Sequence, residues 1–367
     1  MSIERARAIY AIQFDPIHME ATNSYNSEFR VLPKETEVFV DKELDILSQA
    51  AYRVHENFDT ETWKDKPSFH NTEHLKAVER AGILLAEEAL KPNGKDPLNI
   101  KSGLSKWNQG HPEAKIQEDE LVPLLKFVVS MHDNGNVARN IEYENEGDGV
   151  VAKPEYFTAY KSKGAEDRTA KMIADAIGAS SLSQSQKDRY TVFAQHLVDK
   201  TKMLFAEGQI RDQDAEPFAL FMMVIDQVGN EYFNENPNSV HGLITEMAVE
   251  NPDTKVNLST FYNFSSGKNT EARGRFETLI PEKDKRDQIL GVWGKKEKPI
   301  NEIYPDKDIK AGDMAKVIIL LRDPQGLTSQ NQKEIEDLMG MKLEDFPEVW
   351  LPDKDSGEVT PRVPVSK

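Results

Sequence analysis

Five positions along the chain carry side chains whose type and spacing could do chemistry. Phe69-His70-Asn71-Thr72-Glu73-His74 sets two imidazoles four residues apart. With Asn71 as a helix N-cap, His70 lies just before the helix and His74 in its first turn, so both reach one cavity. With a start at Ser68 instead, they share a face at i and i+4, roughly 6 Å apart along the axis. His132 continues the apolar stripe Leu121, Leu124, Leu125, Val128 and Val129, which points it inward, and Asp133 follows it directly. Asp226 ends the apolar run 217–225, where an ionised carboxylate needs a cation, a hydrogen-bond donor or exposure at a helix end. His196 shares a helical face with Val192 and Phe193 and is expected to point inward, as a ligand or as a packed core histidine. Glu166 opens a helix, where its charge is favoured with or without a catalytic task.

The chain contains no cysteine, so any metal must be held by histidine and carboxylate. Such donors suit zinc, iron or manganese at an imidazole-rich position and magnesium or manganese at a position of carboxylates and water. A divalent metal held in this way polarises a phosphoryl oxygen and lowers the pKa of bound water, which is the chemistry of hydrolysis.

The elements that must position these groups read mostly as helices. Val40, Leu44, Leu47, Ala51 and Val54 line one face of a helix over 36–58. Further helices are expected after Asn71 and over 119–133, 165–178, 185–205, 215–228 and 284–293. Asn134-Gly135-Asn136 reads as a left-handed stop and Ser185 to Asp188 as a capping box. The stretches 91–116 and 134–164 read as long loops, 315–322 as a strand-like or buried run, and 328–340 as a capped helix ending at Gly340. The organisation expected is an N-terminal extension (1–34), a helical domain (35–295) and a small C-terminal appendage with a polar tail (296–367).

With 367 residues, 38% of them hydrophobic and 30% charged, the chain can build a full core. Its 63 acidic against 46 basic side chains give a net charge of −17, which argues against duplex nucleic acid as a partner. No 18-residue apolar run and no Sec signal is readable, so a cytoplasmic protein with no membrane span is expected.

The order of these motifs resembles the HD-domain superfamily of metal-dependent phosphohydrolases, whose signature is a histidine, a His-Asp pair and a distant aspartate. FHNTEH is similar to the aromatic-His-Asn-x-x-His opening of cyclic-nucleotide phosphodiesterase catalytic domains and of a group of bacterial HD phosphohydrolases. Glu-Asp-Arg-Thr-Ala from Glu166 is similar to that bacterial group's Asn-Glu-x-x-Ser-Ala element, and Gln195-His196 to a helix that supplies a site histidine. The resemblance covers about 60–240 and implies an all-α HD-domain helical bundle carrying long loop insertions. It implies that His74, His132, Asp133 and Asp226 hold a divalent cation (Mn, Mg, Fe or Zn) that activates water for attack on a phosphoester. His70 would protonate the leaving oxygen, Glu166 would orient the water, and His196 would contact the substrate phosphate or a second ion. Lys161, Lys163 and Arg168 would neutralise further charge on a small phosphorylated substrate, a nucleotide or cyclic nucleotide, with Tyr156, Phe157, Tyr160 and Phe264 as candidates for base stacking.

At the position of a further phosphodiesterase histidine this chain has Asn136, a departure from the pattern of a second metal site. The stretch 134–164 is long and acidic (Glu142, Glu144, Glu146, Asp148), as an insertion that gates the site or reads the substrate would be. Two alternatives stand beside hydrolysis: an HD-type di-iron oxygenase, which generally needs additional histidines before the last aspartate, and a catalytically degenerate HD domain acting as a binding module.

Overall fold

The computed structural model describes residues 29–31, 39–63, 68–145, 149–201, 218–234, 239–257, 276–296, 307–321, 328–340 and 342–343. These residues are mostly helical. The main core is built on α1 (Phe39–Asn57), α2 (Thr72–Leu90) and α4 (Glu118–Met131), with α3 (Ile100–Gly110) beside them. On α1 the stripe Leu44, Leu47, Ala51 and Val54 is buried, and on α4 so are Leu121, Leu124, Leu125, Val128 and Val129. Glu120, in the first turn of α4, receives Arg189 through two bonds of 2.8 and 2.9 Å and the Tyr190 hydroxyl at 2.7 Å. A bidentate guanidinium–carboxylate pair fixes angle as well as distance, so α7 (Gln184–Asp199) is held to α4.

After α4 the chain makes a tight turn and a one-turn helix, α5 (Asn134–Val137), in place of the left-handed stop expected at Asn134-Gly135-Asn136. The expected loop 134–164 is largely a β-hairpin, β2 (Ala138–Asn145) and β3 (Val150–Tyr156). Tyr143 pairs with Ala152, and β1 (Phe29–Val31) joins on the far edge of β3. Alternation of Ile141 and Val150 with charged Glu142 and Glu144 suits a sheet with one covered face, a two-residue period that the run of loop-forming residues conceals. Glu146 and Asp148 lie outside the described residues, as does Phe264.

The hairpin packs on α6 (Ala165–Ala179) and α1. Downstream, α8 (Ala219–Val224) runs without interruption through a π turn (Ile225–Gly229) into α9 (Asn230–Phe233), so Asp226 sits within a helix rather than at its end. The π turn packs on α2, and α11 (Lys283–Trp293) follows against the same helix, Trp293 Nε1 donating to Ala81 O at 3.0 Å.

A second, smaller core draws on α10 (Ser239–Glu250), β4 (Lys255–Asn257), β5 (Asp308–Lys310), α12 (Ala311–Leu321) and α13 (Ser329–Met339), with Ile244, Val256, Ile309, Val317, Ile318 and Ile335 at its centre. The run 315–322, read as strand-like, is therefore helical as far as Leu321: Met314, Val317, Ile318 and Leu321 are buried at helical spacing while Ile319 is exposed. Among the described residues no helix is long and apolar enough to cross a membrane.

Candidate metal centre

Asn71 is the N-cap of α2: its side-chain oxygen accepts from the His74 amide at 2.9 Å, and its amide donates to Ser68 O at 2.8 Å. Of the two geometries open in the sequence, this is the one with His70 before the helix and His74 within its first turn. Their rings lie 5.5 Å apart, as do the rings of His74 and His132. His132 caps the C-terminal end of α4. Thr169 stitches the turn after it, donating to His132 O and accepting from the Gly135 amide, both at 3.0 Å. A Cβ on Gly135 would stand 2.0 Å from Ala165 O, so the turn can lie directly on the start of α6 only with glycine there.

His74, His132 and Asp226 bring one donor atom each within 4.8 Å of one another, a group able to hold a metal ion. His74 Nε2 is 3.6 Å and His132 Nε2 3.5 Å from Asp226 Oδ1. Asp133 Oδ2 approaches the same two nitrogens at 3.1 and 3.2 Å. Donors about 2.1 Å from a common ion stand about 3.0 Å apart at right angles and about 3.4 Å apart at the tetrahedral angle, which spans these separations closely. Close as they are, His74 Nε2, His132 Nε2 and Asp133 Oδ2 make no aligned hydrogen bond, and all three are buried. Atoms that converge on a point instead of on each other, in a site poor in water, fit a cation.

Neighbouring groups set up two of these donors. His132 Nδ1 donates to Val129 O at 2.6 Å, which leaves the Nε2 lone pair facing the centre. Asn136 donates to Asp133 Oδ1 at 2.9 Å and leaves Oδ2 for the centre. The residue that departs from the phosphodiesterase pattern thus orients the carboxylate next to it. Asp226 owes its place to the π turn, whose inserted residue changes the direction of the side chains that follow it.

Burial disfavours the charged forms of His74 and His132, yet Asp133 and Asp226 outweigh it and lift each imidazole to about 9. Burial likewise opposes ionisation of both aspartates, but the histidines hold them well below the usual carboxylate range. Because the folded pKa of each histidine exceeds the unfolded one, this cluster stabilises the metal-free protein below about pH 6.5, and that stability is lost as pH rises through about 9. A metal must displace those same protons, so its affinity climbs over the same window, by about tenfold per pH unit for each proton released. The rise in Tm on adding Mn²⁺ is expected to be larger near pH 9 than near pH 6; an equal rise at both would contradict the coupling.

Two residues unmarked by the sequence motifs also belong to this region. Glu246 on α10 accepts His70 Nδ1 at 2.6 Å on one oxygen and the Phe69 and His70 amides at 2.7 and 3.2 Å on the other. Burial lowers the pKa of His70, but Glu246 and Asp133 prevail and raise it to about 9. His55, at the end of α1, is wholly buried with neither ring nitrogen hydrogen-bonded. Burial, helped by His132 and His70 and opposed by Asp133, lowers it to about 3 and keeps it neutral. The signal for His55 was its place four residues after Ala51 on the buried stripe. For Glu246 it was an acidic residue set between apolar neighbours in an uncalled helix.

The remaining expected site residues lie apart from these donors or in other contacts. His196 packs with Trp107 (rings 4.7 Å apart) and His111 (6.5 Å), at the junction of α7 with α3. Its helix buries Tyr190, Phe193, Ala194 and Leu197 while Val192 is 43% exposed, so the inward face is rotated from the one expected and His196 lies on its flank. Arg168 commits Nε to Gly135 O (2.8 Å), Nη1 to Lys163 O (2.7 Å) and Nη2 to Lys161 O (2.6 Å), clamping the segment before α6. Lys161 and Lys163 are exposed on that segment, and Glu166 stands in the first turn of α6. Tyr156 and Tyr160 are core residues around Phe58, whereas Phe157 is half-buried beneath Arg168. Compared with family models, curated proteins and solved structures, the chain matches none of them.

Proposed function

We propose that the protein is a metal-dependent phosphohydrolase of the HD-domain type, acting on a phosphoester of a nucleotide or other small phosphorylated molecule. The observation that carries the reading is the convergence of His74, His132, Asp133 and Asp226 with a buried His-Glu pair, His70 and Glu246, set beside them. A divalent cation bound by those four residues would supply Lewis-acid polarisation of the phosphoryl group and a more acidic water.

The chain's own groups supply the rest. The Glu246 carboxylate takes the Nδ1 proton of His70, so the proton available to a leaving oxygen is the one on Nε2. A pKa of about 9 keeps that proton in place at neutral pH. His70 and Asp226 are the most exposed members, at 27% and 20% of their side chains, against 2% for His74 and 3% for His132. Substrate therefore approaches over His70 and Asp226, with the two ligating imidazoles beneath. Glu166 would orient the attacking water from the first turn of α6. The oxygenase alternative depends on added histidines between Asp133 and Asp226, and the only one in that interval packs on Trp107.

A panel of phosphomonoesters and cyclic nucleotides, assayed with Mn²⁺, Mg²⁺ and Fe²⁺, tests the reading. The wild type is expected to hydrolyse at least one of them with one of these ions, and His132→Ala to retain less than about 1% of that rate. Equal rates in the two proteins, or no hydrolysis by either, would overturn it.

A further inference from the structure

We infer that the smaller, C-terminal module holds the proton donor in place, and that it does so through one stripe of α10. Residues 242, 246 and 250 of that helix recur every four positions and so share a face. All three meet the larger body. A Cβ on Gly242 would lie 2.2 Å from the Ser68 carbonyl carbon and 2.4 Å from the Phe69 amide nitrogen, so only glycine lets the helix come this near. One turn on, Glu246 takes the Phe69 and His70 amides and the His70 ring. A further turn on, Glu250 accepts the Ser162 amide and hydroxyl, both at 2.6 Å, on the segment that Arg168 clamps.

The other face of α10 belongs to the second core. Ile244 is buried there against α12, with Leu243, Met247 and Ala248 packed around it. One helix thus has its back in the C-terminal core and its front on the backbone of the His70 segment. None of the metal-centre donors lies on it. The module's packing should therefore govern how firmly His70 is held, while leaving the cation site alone. Its effect on turnover rests on the reading of His70 as proton donor; its effect on the Phe69 and His70 amides does not.

The test uses the full chain with two substitutions, Gly242→Ala at the contact and Ile318→Ala within the second core and outside the stripe. Amide hydrogen exchange over 68–71 is expected to quicken at least about tenfold in both, Mn²⁺ affinity to stay within about twofold of wild type, and kcat to fall with KM little changed. Unchanged exchange over 68–71 in Ile318→Ala, with exchange in α12 quickened, would overturn the inference. So would a loss of Mn²⁺ affinity in step with the exchange, which would make the module a support for the whole fold. The exchange measurement decides the inference even where no phosphoester is turned over, an outcome that overturns only the reading of His70.

Discussion

Asp226→Asn is expected to lower affinity for a divalent cation by at least about 100-fold and to remove turnover, with the helical far-ultraviolet signal kept. The substitution preserves volume and removes one charge. In the metal-free protein that charge helps lift His74 and His132 to about 9, so the same change lowers both imidazoles, led by the loss of their 3.6 and 3.5 Å contacts. Loss of an outer partner of a metal ligand typically costs about 10- to 100-fold in affinity, and loss of a ligating charge exceeds that range. Cation binding within about threefold of wild type would show that Asp226 faces the cluster without taking part in it.

The second large effect concerns Glu246→Gln. The amide oxygen of glutamine can still accept from the Phe69 and His70 amides, but its nitrogen cannot accept the Nδ1 proton of His70. The pair then inverts, or His70 loses its proton. General acid catalysis typically contributes about 10²- to 10⁴-fold, and the contribution shrinks as the leaving group becomes able to depart unprotonated. For an alkyl phosphoester kcat is expected to fall at least about 100-fold, and for a nitrophenyl ester by no more than about threefold, with metal content equal in both proteins. An equal fall for both esters would mean that Glu246 shapes the site without serving proton transfer.

Much of this centre was legible because its signals are local. A five-residue apolar stripe fixed the direction of His132, and an asparagine cap fixed the entry of α2. What escaped depends on contacts distant in sequence. Glu246 lies 176 positions from His70, and no spacing rule links a helix to a loop that far away. His55 lay on a buried stripe that was already read, yet only the tertiary fold shows that this stripe ends beside Asp133. His196 was misplaced because Val192, apolar but exposed, made the wrong face look like the inner one. The hairpin at 138–156 was hidden by charged residues that belong to the open side of its strands. The π turn could not be read at all, since one inserted residue in a buried run leaves the hydrophobic pattern nearly unchanged.

The central claim is that four side chains from α2, from the turn after α4 and from the π turn share one ion. A crystal of the full chain soaked in Mn²⁺, with data collected at the manganese edge, tests it most directly. One anomalous peak within about 2.0 to 2.3 Å of His74 Nε2, His132 Nε2, Asp133 Oδ2 and Asp226 Oδ1 is the expected result. A saturating soak that leaves this point empty, or that places manganese only elsewhere on the acidic surface, would contradict the account.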